Sequence, residues 1–466
     1  MKLKFLGATE NVTGSRFLVE TENCKVLIDC GLFQERELKI RNWENFPIPP
    51  KEINCVILTH AHLDHCGYLP KFLREGFKGK ILSTPPTAEI AQIVLLDAAK
   101  LQEEDAEFKK KRHHKEGRKG PYSEIPLYTI EEAKKVFPYF SPIEYKKQFQ
   151  INSSIKVTFY DAGHILGAGM IEMIIKENGG EKKIIFSGDI GRWKSPILSN
   201  PTVFENADYV IIESTYGNRI HDIQEKNKEK LERIIVETKK AGGNIVIPTF
   251  AIERAQELLY YLSRLFKENK IADILVFFDS PMAINVTEIF KKYPDYFDEE
   301  TNEIIKKGES PFDFPLLKIT KSSSESKKIN EVKETSIIIA GSGMCTGGRI
   351  KHHLVHNITR PESTIVFVSY QAKGTLGREI LERPKQVRIL GEVYPVYARI
   401  EKINGFSAHA DKNELLKWLS YFNKKILKKI FIVHGEPEAE TELSTLIEQQ
   451  FTTEVIIPKY QEEYVI

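Results

Sequence analysis

Residues 55–65 read CVILTHAHLDH, and this stretch decides the fold of the region around it. An apolar run ends in four residues of the kinds that bind metals: His60, His62, Asp64 and His65. Residues two apart in an extended chain face the same side, so the first two histidines can bind one cation while the later two residues reach another. A lone histidine is more often a core or surface residue, but this grouping indicates a metal site. Imidazole with carboxylate suits zinc, with manganese or iron as alternatives.

The composition describes a globular chain with more than one core. The chain has 466 residues, of which 41% are hydrophobic, and this length is typical of two or three domains. The 67 Lys and Arg residues nearly balance the 65 Asp and Glu residues, which gives a net charge of +2. Any nucleic-acid surface must therefore be a local patch.

The cysteines and the apolar runs indicate the compartment. Five cysteines without a C-x-x-C pair argue against a disulfide framework or a thiolate zinc site and favour a reducing cytoplasm. The first residues lack a signal-peptide pattern, and no run reaches the roughly 18 apolar residues that a membrane span needs. We therefore expect a cytoplasmic protein that does not bind membranes.

Two patterns of predicted secondary structure divide the chain into two parts. In the first part, short predicted strands alternate with turns, and a long amphipathic helix is predicted over residues 87–107. The basic stretch over residues 109–120 is interpreted as a mobile surface loop. From residue 208, predicted strands alternate with helices, which indicates a second domain with a parallel sheet covered on both faces.

The histidine segment resembles the H-x-H-x-D-H signature of the metallo-β-lactamase superfamily, and further motifs of that family follow in order. Asp29 in VLIDCG corresponds to the first motif, an Asp that ends an early strand. His164 in DAGHILGAG corresponds to the third motif, and Asp189 in IIFSGDIG to the fourth. Alone, either residue would be an ordinary loop residue, but the order and spacing make the resemblance specific.

This resemblance implies two zinc ions per chain, one on His60, His62 and His164 and the other on Asp64 and His65, with Asp189 bridging them. Asp29 would orient the histidine loop from outside the ligand set. Two cations that share one bridging carboxylate can lower the pKa of a shared water and stabilise both the attacking and the leaving oxygen of an in-line displacement. Asp64 and Asp189 are therefore expected to be essential for catalysis.

Residues 208–395 resemble the β-CASP insertion of RNA-processing nucleases, which include the cleavage and polyadenylation specificity endonuclease subunit and its bacterial and archaeal relatives. The expected fold is an αββα metallo-β-lactamase sandwich, formed by residues 1–207 and 396–466, with an inserted α/β parallel-sheet β-CASP domain. The chain starts directly at the hydrolase domain and ends soon after the last motif. A minimal enzyme without RNA-binding KH modules is expected.

Three further residues match motifs of this subfamily: Glu213 in VIIESTYG, His409 in GFSAHAD and His434 in IFIVHGE. By resemblance, His434 completes the second zinc site, and His409, paired with Glu213, protonates the leaving oxygen. The alternative role for His409 is helix capping or packing. Relatives that act on DNA tend to carry an apolar residue where His434 stands, so the resemblance favours RNA.

Six residues are candidates for phosphate or RNA contact: Ser342, Gly343, Arg349, Arg254, Lys373 and Arg378. The first three belong to the glycine-rich stretch SIIIAGSGMCTGGR, which matches the subfamily pattern G-M-x-x-G-G-R and can turn backbone N–H groups toward an anion. The other three follow predicted strands at the edge where a parallel sheet commonly binds ligands. Turn geometry and solvated surface charge are the alternative interpretations.

The resemblance as a whole implies a zinc-dependent ribonuclease that hydrolyses single-stranded RNA by a two-metal hydroxide mechanism, leaving a 3′-hydroxyl and a 5′-phosphate. The balance of endonuclease and exonuclease action stays open, as does a homodimer or an RNA-processing complex. Three alternatives remain: a DNA nuclease of the same superfamily, a non-catalytic RNA-processing subunit, and a small-molecule hydrolase or diiron enzyme. The inserted domain disfavours the last of these.

Overall fold

The computed structural model describes residues 1–117, 124–177, 180–221, 226–372 and 374–466. The chain forms two compact units. The first comprises Met1–Trp193, Asn200–Ile220 and His409–Ile466, and the second comprises Lys194–Ser199 and His221–Ala408. The long segment of the second unit begins after Ile220 and ends at Ala408, whereas residues 208 and 395 were the predicted boundaries.

The strands, in chain order, are β1 Lys2–Phe5, β2 Phe17–Thr21, β3 Cys24–Ile28, β4 Cys55–Ile57, β5 Lys80–Ser83, β6 Phe140–Pro142, β7 Gln148–Gln150, β8 Ile155–Asp161, β9 Gly169–Glu177, β10 Gly180–Phe186, β11 Tyr209–Glu213, β12 Ile245–Pro248, β13 Leu275–Asp279, β14 Leu317–Ile319, β15 Ser336–Ala340, β16 Thr364–Phe367, β17 Gln386–Ile389, β18 Glu392–Pro395, β19 Arg399–Lys402, β20 Lys429–Val433, β21 Glu454–Ile456 and β22 Glu463–Val465.

The α-helices are α1 Leu63–Cys66, α2 Leu69–Arg74, α3 Pro85–Glu116, α4 Ile130–Lys134, α5 Asn227–Ala241, α6 Arg254–Lys267, α7 Pro281–Lys292, α8 Glu299–Lys306, α9 Ser323–Ile329, α10 Ile350–Asn357, α11 Leu376–Leu381, α12 Lys412–Ser420 and α13 Pro437–Glu448. Within the described residues, none of these helices combines the length and the apolar character that a bilayer span requires.

Two seven-stranded sheets form the first unit, in the orders β22-β1-β2-β3-β4-β5-β6 and β21-β20-β11-β10-β9-β8-β7. Their inner faces share one apolar core, to which Phe5 and Ile57 contribute from one sheet and Phe159 and Phe431 from the other. The rings of Phe5 and Phe431 lie 5.1 Å apart across this core. Helix α3 packs on β6 and α13 on β20, so each sheet carries helices. The predicted αββα sandwich is confirmed.

The second unit contains a six-stranded sheet in the order β14-β13-β15-β12-β16-β19, and all its pairings are parallel. The sequence SIIIA of β15 is buried at every position, as expected for a strand with both faces covered. A parallel sheet was predicted here and is confirmed. Strand β11, which the expected boundary assigned to this domain, instead pairs with β10 and β20 of the first unit.

Helix α3 continues well beyond the predicted end at residue 107. The interpretation of residues 109–116 as a loop is wrong, because basic side chains pair with acids one turn away along the helix, for example Lys109 with Asp105 at 2.5 Å and Arg112 with Glu116 at 2.8 Å. Such pairs each stabilise an exposed helix by a few tenths of a kcal/mol. Residues 118–120 of the predicted loop lie outside the described residues.

Candidate metal centre

The histidine loop follows the buried strand β4 and runs into the short helix α1. His62 is the N-cap residue of α1, and its carbonyl accepts the N–H of His65 at 3.0 Å. The neighbouring loop packs directly against it: a Cβ on Gly31 would lie 1.5 Å from the Asp64 carbonyl oxygen, so only glycine fits. The Cys30 N–H also donates to the His65 carbonyl at 2.7 Å. The backbone thereby fixes the direction of the candidate metal-ligand side chains in this loop.

One group of donors comprises His60, His62, His164 and Asp189. His62 Nδ1 lies 3.0 Å from His60 Nε2 and 3.3 Å from His164 Nε2. Asp189 Oδ2 lies 3.4 Å from His60 Nε2 and 3.5 Å from His164 Nε2. Ligands of a tetrahedral zinc ion, with bonds of about 2.0 to 2.1 Å, stand about 3.3 Å apart. The spacing of this group therefore fits a zinc ion.

A second group comprises Asp64, His65 and His434. The two imidazole Nε2 atoms lie 3.0 Å apart, and Asp64 Oδ2 lies 3.5 Å from that of His434 and 3.9 Å from that of His65. Asp189 faces this group with its other oxygen, since Oδ1 lies 3.4 Å from His65 Nε2 and 3.7 Å from His434 Nε2. One carboxylate thus presents an oxygen to each group.

The buried polar atoms support a cation here. Asp189 is 2% exposed, and its Oδ1 has no hydrogen-bond partner among the described residues. An unsatisfied buried carboxylate oxygen costs free energy unless a cation or a donor compensates it. Ring nitrogens that face one another at hydrogen-bond distance likewise need a shared proton or a metal ion between them. This cluster of histidine and aspartate side chains can hold metal.

Together, burial and charge lower the pKa values of the histidines in the first group and raise those of the histidines in the second. Burial, and then the neighbouring His60, lower the pKa of His62 to about 3, so its ring is neutral and its lone pair can bind a cation. Burial opposes a rise for His434, but Asp189 and Asp64 outweigh it and raise the pKa of that ring to about 10. A metal ion at the second group must therefore displace a proton.

Asp29 orients the histidine loop from behind. Its Oδ2 accepts from His65 Nδ1 at 2.7 Å, and its Oδ1 accepts the Thr59 N–H at 2.8 Å. The Ser15 hydroxyl also donates to Oδ2, at 3.0 Å. The backbone of Asp29 has a left-handed φ of 59°. Because its Nδ1 is engaged, His65 presents Nε2 to the metal groups.

Glu213 and His409 form a third group with Asp189. His409 Nδ1 lies 3.1 Å and 3.2 Å from the two oxygens of Glu213 and 3.9 Å from Asp189 Oδ2. The Ile190 N–H donates to Glu213 Oε1 at 2.6 Å and holds the carboxylate in place. Burial would lower the pKa of His409, but the charge of Glu213 outweighs it and raises that pKa. The side chain of His409 is 19% exposed, so the ring reaches solvent.

The residues expected to contact RNA lie in the second unit, and those described bind separate partners. Arg349 donates to Asp279 at 2.6 Å and to the carbonyls of residues 320 and 321. Arg254 is buried and pairs with Glu257. Arg378 pairs with a glutamate one turn along α11, and Lys373 lies outside the described residues. These three arginines are already paired within the protein.

The remaining two candidates belong to the glycine-rich loop after β15. The Ser342 hydroxyl accepts the Gly347 N–H at 3.2 Å, a bond that closes this loop on itself. Gly343 lies under the ring of Phe250, and a Cβ there would be 2.8 Å from that ring. The loop is therefore a packed turn with a defined shape, and phosphate contact by Ser342 and Gly343 stays a prediction.

Two threonines outside the predicted set lie against histidines of the donor groups. The Thr59 hydroxyl lies 3.1 Å from His60 Nδ1 and hydrogen-bonds Asp29. The Thr215 hydroxyl lies 3.0 Å from His434 Nδ1. The available signal was position, since Thr59 directly precedes the first histidine and Thr215 follows the end of β11 by two residues.

Comparison with known proteins agrees with this architecture. Three family models match the chain: a metallo-beta-lactamase superfamily domain over residues 18–215, a Beta-Casp domain over residues 255–380, and a Zn-dependent metallo-hydrolase RNA specificity domain over residues 393–458. A crystal structure of a protein of unknown function from Enterococcus faecalis V583 superposes with a TM-score of 0.57 at 13% identity, covering 100% of this chain and 99% of the other. That likeness concerns the fold alone.

Curated relatives match at higher identity. Ribonuclease TTHA0252 of Thermus thermophilus is 36% identical over 447 residues, which cover 96% of each chain. Transcription termination factor FttA of Methanocaldococcus jannaschii is 32% identical over 471 residues, which cover 98% of this chain and 70% of the relative. The match thus extends through both units, and the chain belongs to the β-CASP family of RNA nucleases within the metallo-β-lactamase superfamily.

Proposed function

We propose that the chain is a zinc-dependent ribonuclease that hydrolyses phosphodiester bonds of single-stranded RNA. One observation carries the proposal: two groups of imidazole and carboxylate donors are joined by the two oxygens of Asp189, each within 3.7 Å of the ring nitrogens that it faces. Membership of a family of RNA nucleases supports RNA as the substrate.

The donor set suits two zinc ions. His60, His62 and His164 would hold one, Asp64, His65 and His434 would hold the other, and Asp189 would bridge them. Imidazole and carboxylate donors also accept manganese or iron, so metal identity is part of the proposal. Two such cations, when bound, supply a water of lowered pKa and stabilise negative charge on the phosphate. Asp29 keeps His65 in the tautomer that presents Nε2.

His409 is suited to donate a proton to the leaving oxygen. Its Nδ1 faces Glu213, and the carboxylate favours the protonated ring, so we assign the donated proton to Nε2. Transfer of that proton to the departing 3′ oxygen gives a 3′-hydroxyl on one fragment and leaves a 5′-phosphate on the other. Glu213 is a positioning residue in this step, since it acts through the imidazole.

Single-stranded RNA is the expected substrate because its bases and backbone are accessible without opening a duplex. Self-association and assembly with other RNA-processing proteins remain to be measured, and light scattering of the purified protein would determine its mass in solution. The ribonuclease proposal requires neither.

End-labelled oligonucleotides test this function. Purified protein, with its metal content measured, is incubated with matched single-stranded RNA and DNA that carry a label at the 5′ or the 3′ end. We expect cleavage of the RNA, fragments that end in a 3′-hydroxyl and begin with a 5′-phosphate, and loss of activity on chelation that zinc restores. The first fragments to appear distinguish endonuclease from exonuclease action. Preferential DNA cleavage, or a 2′,3′-cyclic phosphate product, would contradict the proposal.

A further inference from the structure

The carboxyl ends of three neighbouring strands in the second unit, β15, β12 and β16, lie at one edge of its parallel sheet. The glycine-rich loop follows β15, and residues 249–253 follow β12. In open parallel sheets, ligands bind outside these strand ends. The side chains exposed at this edge are therefore candidates for ligand contact.

Phe250 is the large apolar side chain that the segment after β12 exposes, with 39% of it accessible. Its ring lies over Gly343 of the glycine-rich loop. A Cβ built on Gly343 would stand 2.8 Å from Cδ2, 3.0 Å from Cε2 and 3.0 Å from Cγ of the ring. Because three consecutive ring atoms are almost equally distant, the glycine covers the face of the ring rather than its edge. The loop backbone thus fixes the ring while part of it stays exposed.

The two arginines next to these loops, unlike Phe250, are held by partners within the protein. Arg254, four residues along, is only 6% exposed, pairs with Glu257, and lies 6.0 Å over the ring of Phe406. Arg349, at the end of the glycine-rich loop, is bound to Asp279. The segment TFAIER therefore exposes an aromatic ring rather than a cation.

An exposed aromatic ring that is held from one side is suited to stacking on a nucleobase, because every base has a π face and little conformational freedom is lost on binding. We propose that Phe250 is a nucleobase-stacking residue, and that one base of a single-stranded RNA packs on its ring beside the glycine-rich loop. The inference rests on the proposed ribonuclease function and names a contact that selects an unpaired base over a paired one.

Four variants test the contact: Phe250→Ala, Phe250→Leu, Phe250→Trp and, as a matched control, Phe108→Ala, which removes a 64% exposed ring from α3. We expect Ala and Leu at position 250 to raise KM for an unstructured RNA about tenfold, with kcat within about twofold. Trp should restore KM, and the control should match the wild type. Leucine keeps apolar volume without a π face, so restoration by Leu would overturn the inference.

A set of RNAs, each with one base removed, gives the decisive measurement. For the wild type, removal of the base at one RNA position should raise KM about tenfold. For Phe250→Ala, removal of the same base should leave KM unchanged. Absence of any such position overturns the inference and favours a protein contact for this ring. Equilibrium Kd values for the same RNAs are measured in parallel. If the wild type cleaves no RNA, the proposed function fails, and the Kd values still decide whether Phe250 stacks on a base.

Discussion

Two buried aspartates, one in each unit, hold a histidine in the same way and serve different ends. Asp29 follows β3 and accepts from His65 Nδ1 at 2.7 Å, and Asp279 ends β13 and accepts from His353 Nε2, also at 2.7 Å. Each carboxylate also accepts from a serine hydroxyl, and neither is more than 1% exposed. An Asp–His pair therefore does not by itself define a metal site.

The second ring nitrogen distinguishes the two pairs. His65 Nε2 faces His434 Nε2 at 3.0 Å and Asp189 at 3.4 Å, in a cluster of further metal-type donors. His353 Nδ1 is buried and has no hydrogen-bond partner among the described residues, and no group of potential metal ligands forms around it there. The positive charge beside Asp279 comes instead from Arg349. Around His65, donors from distant segments form a cluster that can hold metal. Around Asp279, Arg349 already supplies the positive charge, so we interpret this pair as a structural ion-pair network.

The largest effect should come from removing a donor at the metal centre. Asp64→Ala and His62→Ala each take one ligand from a different group, so we expect cleavage to fall by about a thousandfold or more and bound zinc to drop below two ions per chain. Metal content by mass spectrometry and rates on labelled RNA measure both. Asp105→Ala, which removes an exposed acid on α3, is the control. Wild-type rates in either ligand variant would refute the site assignment.

His409→Ala should produce the next largest loss while it leaves the metals in place. The ring touches Glu213 but belongs to neither of the main donor groups, so we expect unchanged zinc and a kcat lower by about a hundredfold to a thousandfold. A phosphodiester with a nitrophenyl leaving group needs no proton, and the loss on that substrate should be small. Equal losses on RNA and on the nitrophenyl ester, or zinc loss, would remove the proton-donor role.

Asp29→Asn sharpens the comparison because it keeps the size of the side chain and removes its charge. His65 then loses the negative charge that raises its basicity, and we expect the Kd for zinc to rise about ten- to a hundredfold. Competition with a chelator of known affinity measures this Kd. The matched control is Asp279→Asn, which changes the equivalent residue of the other pair and should leave the zinc Kd unaltered. Equal zinc Kd values in the two variants would contradict a role for Asp29 in zinc binding.

The grouping of metal-type donors could be predicted from the sequence because most of them stand in short local patterns after predicted strands, as His60 and Asp189 do. What could not be predicted depends on contacts between distant segments. The apolar run of β11 reads the same whichever sheet it joins, so its place between β10 and β20 gave no local signal. A long arginine side chain likewise does not reveal its partner, and Arg349 is bound to Asp279. Phe250 was missed because a phenylalanine after a buried strand reads as core.

Asp279→Asn should have the smallest effect on the metal centre and act on stability. The carboxylate binds Arg349 at 2.6 Å and His353 at 2.7 Å, and its removal leaves a partly buried cation without its counter-charge. We expect the free energy of unfolding to fall by about 3 kcal/mol, with zinc content unchanged. Hydrogen exchange should show the loss in β15 and α10, which flank the glycine-rich loop. A stability equal to that of the wild type would show that the ion pairs of Asp279 contribute nothing to the free energy of unfolding.

The pH dependence of this difference tests its electrostatic origin. Burial would raise the pKa of Asp279, but hydrogen bonds from His353, Ser326 and Arg349 outweigh it and lower that pKa below its ordinary value. A carboxylate with a lowered folded pKa stabilises the fold above its unfolded pKa, and that contribution is lost as the pH falls through the folded pKa. The gap in unfolding free energy between wild type and Asp279→Asn should therefore be full at neutral pH and shrink below about pH 4. Only the charged carboxylate can form an ion pair with the guanidinium, so a gap that stayed constant on acidification would mean that the shape of the side chain, and not its charge, accounts for the difference.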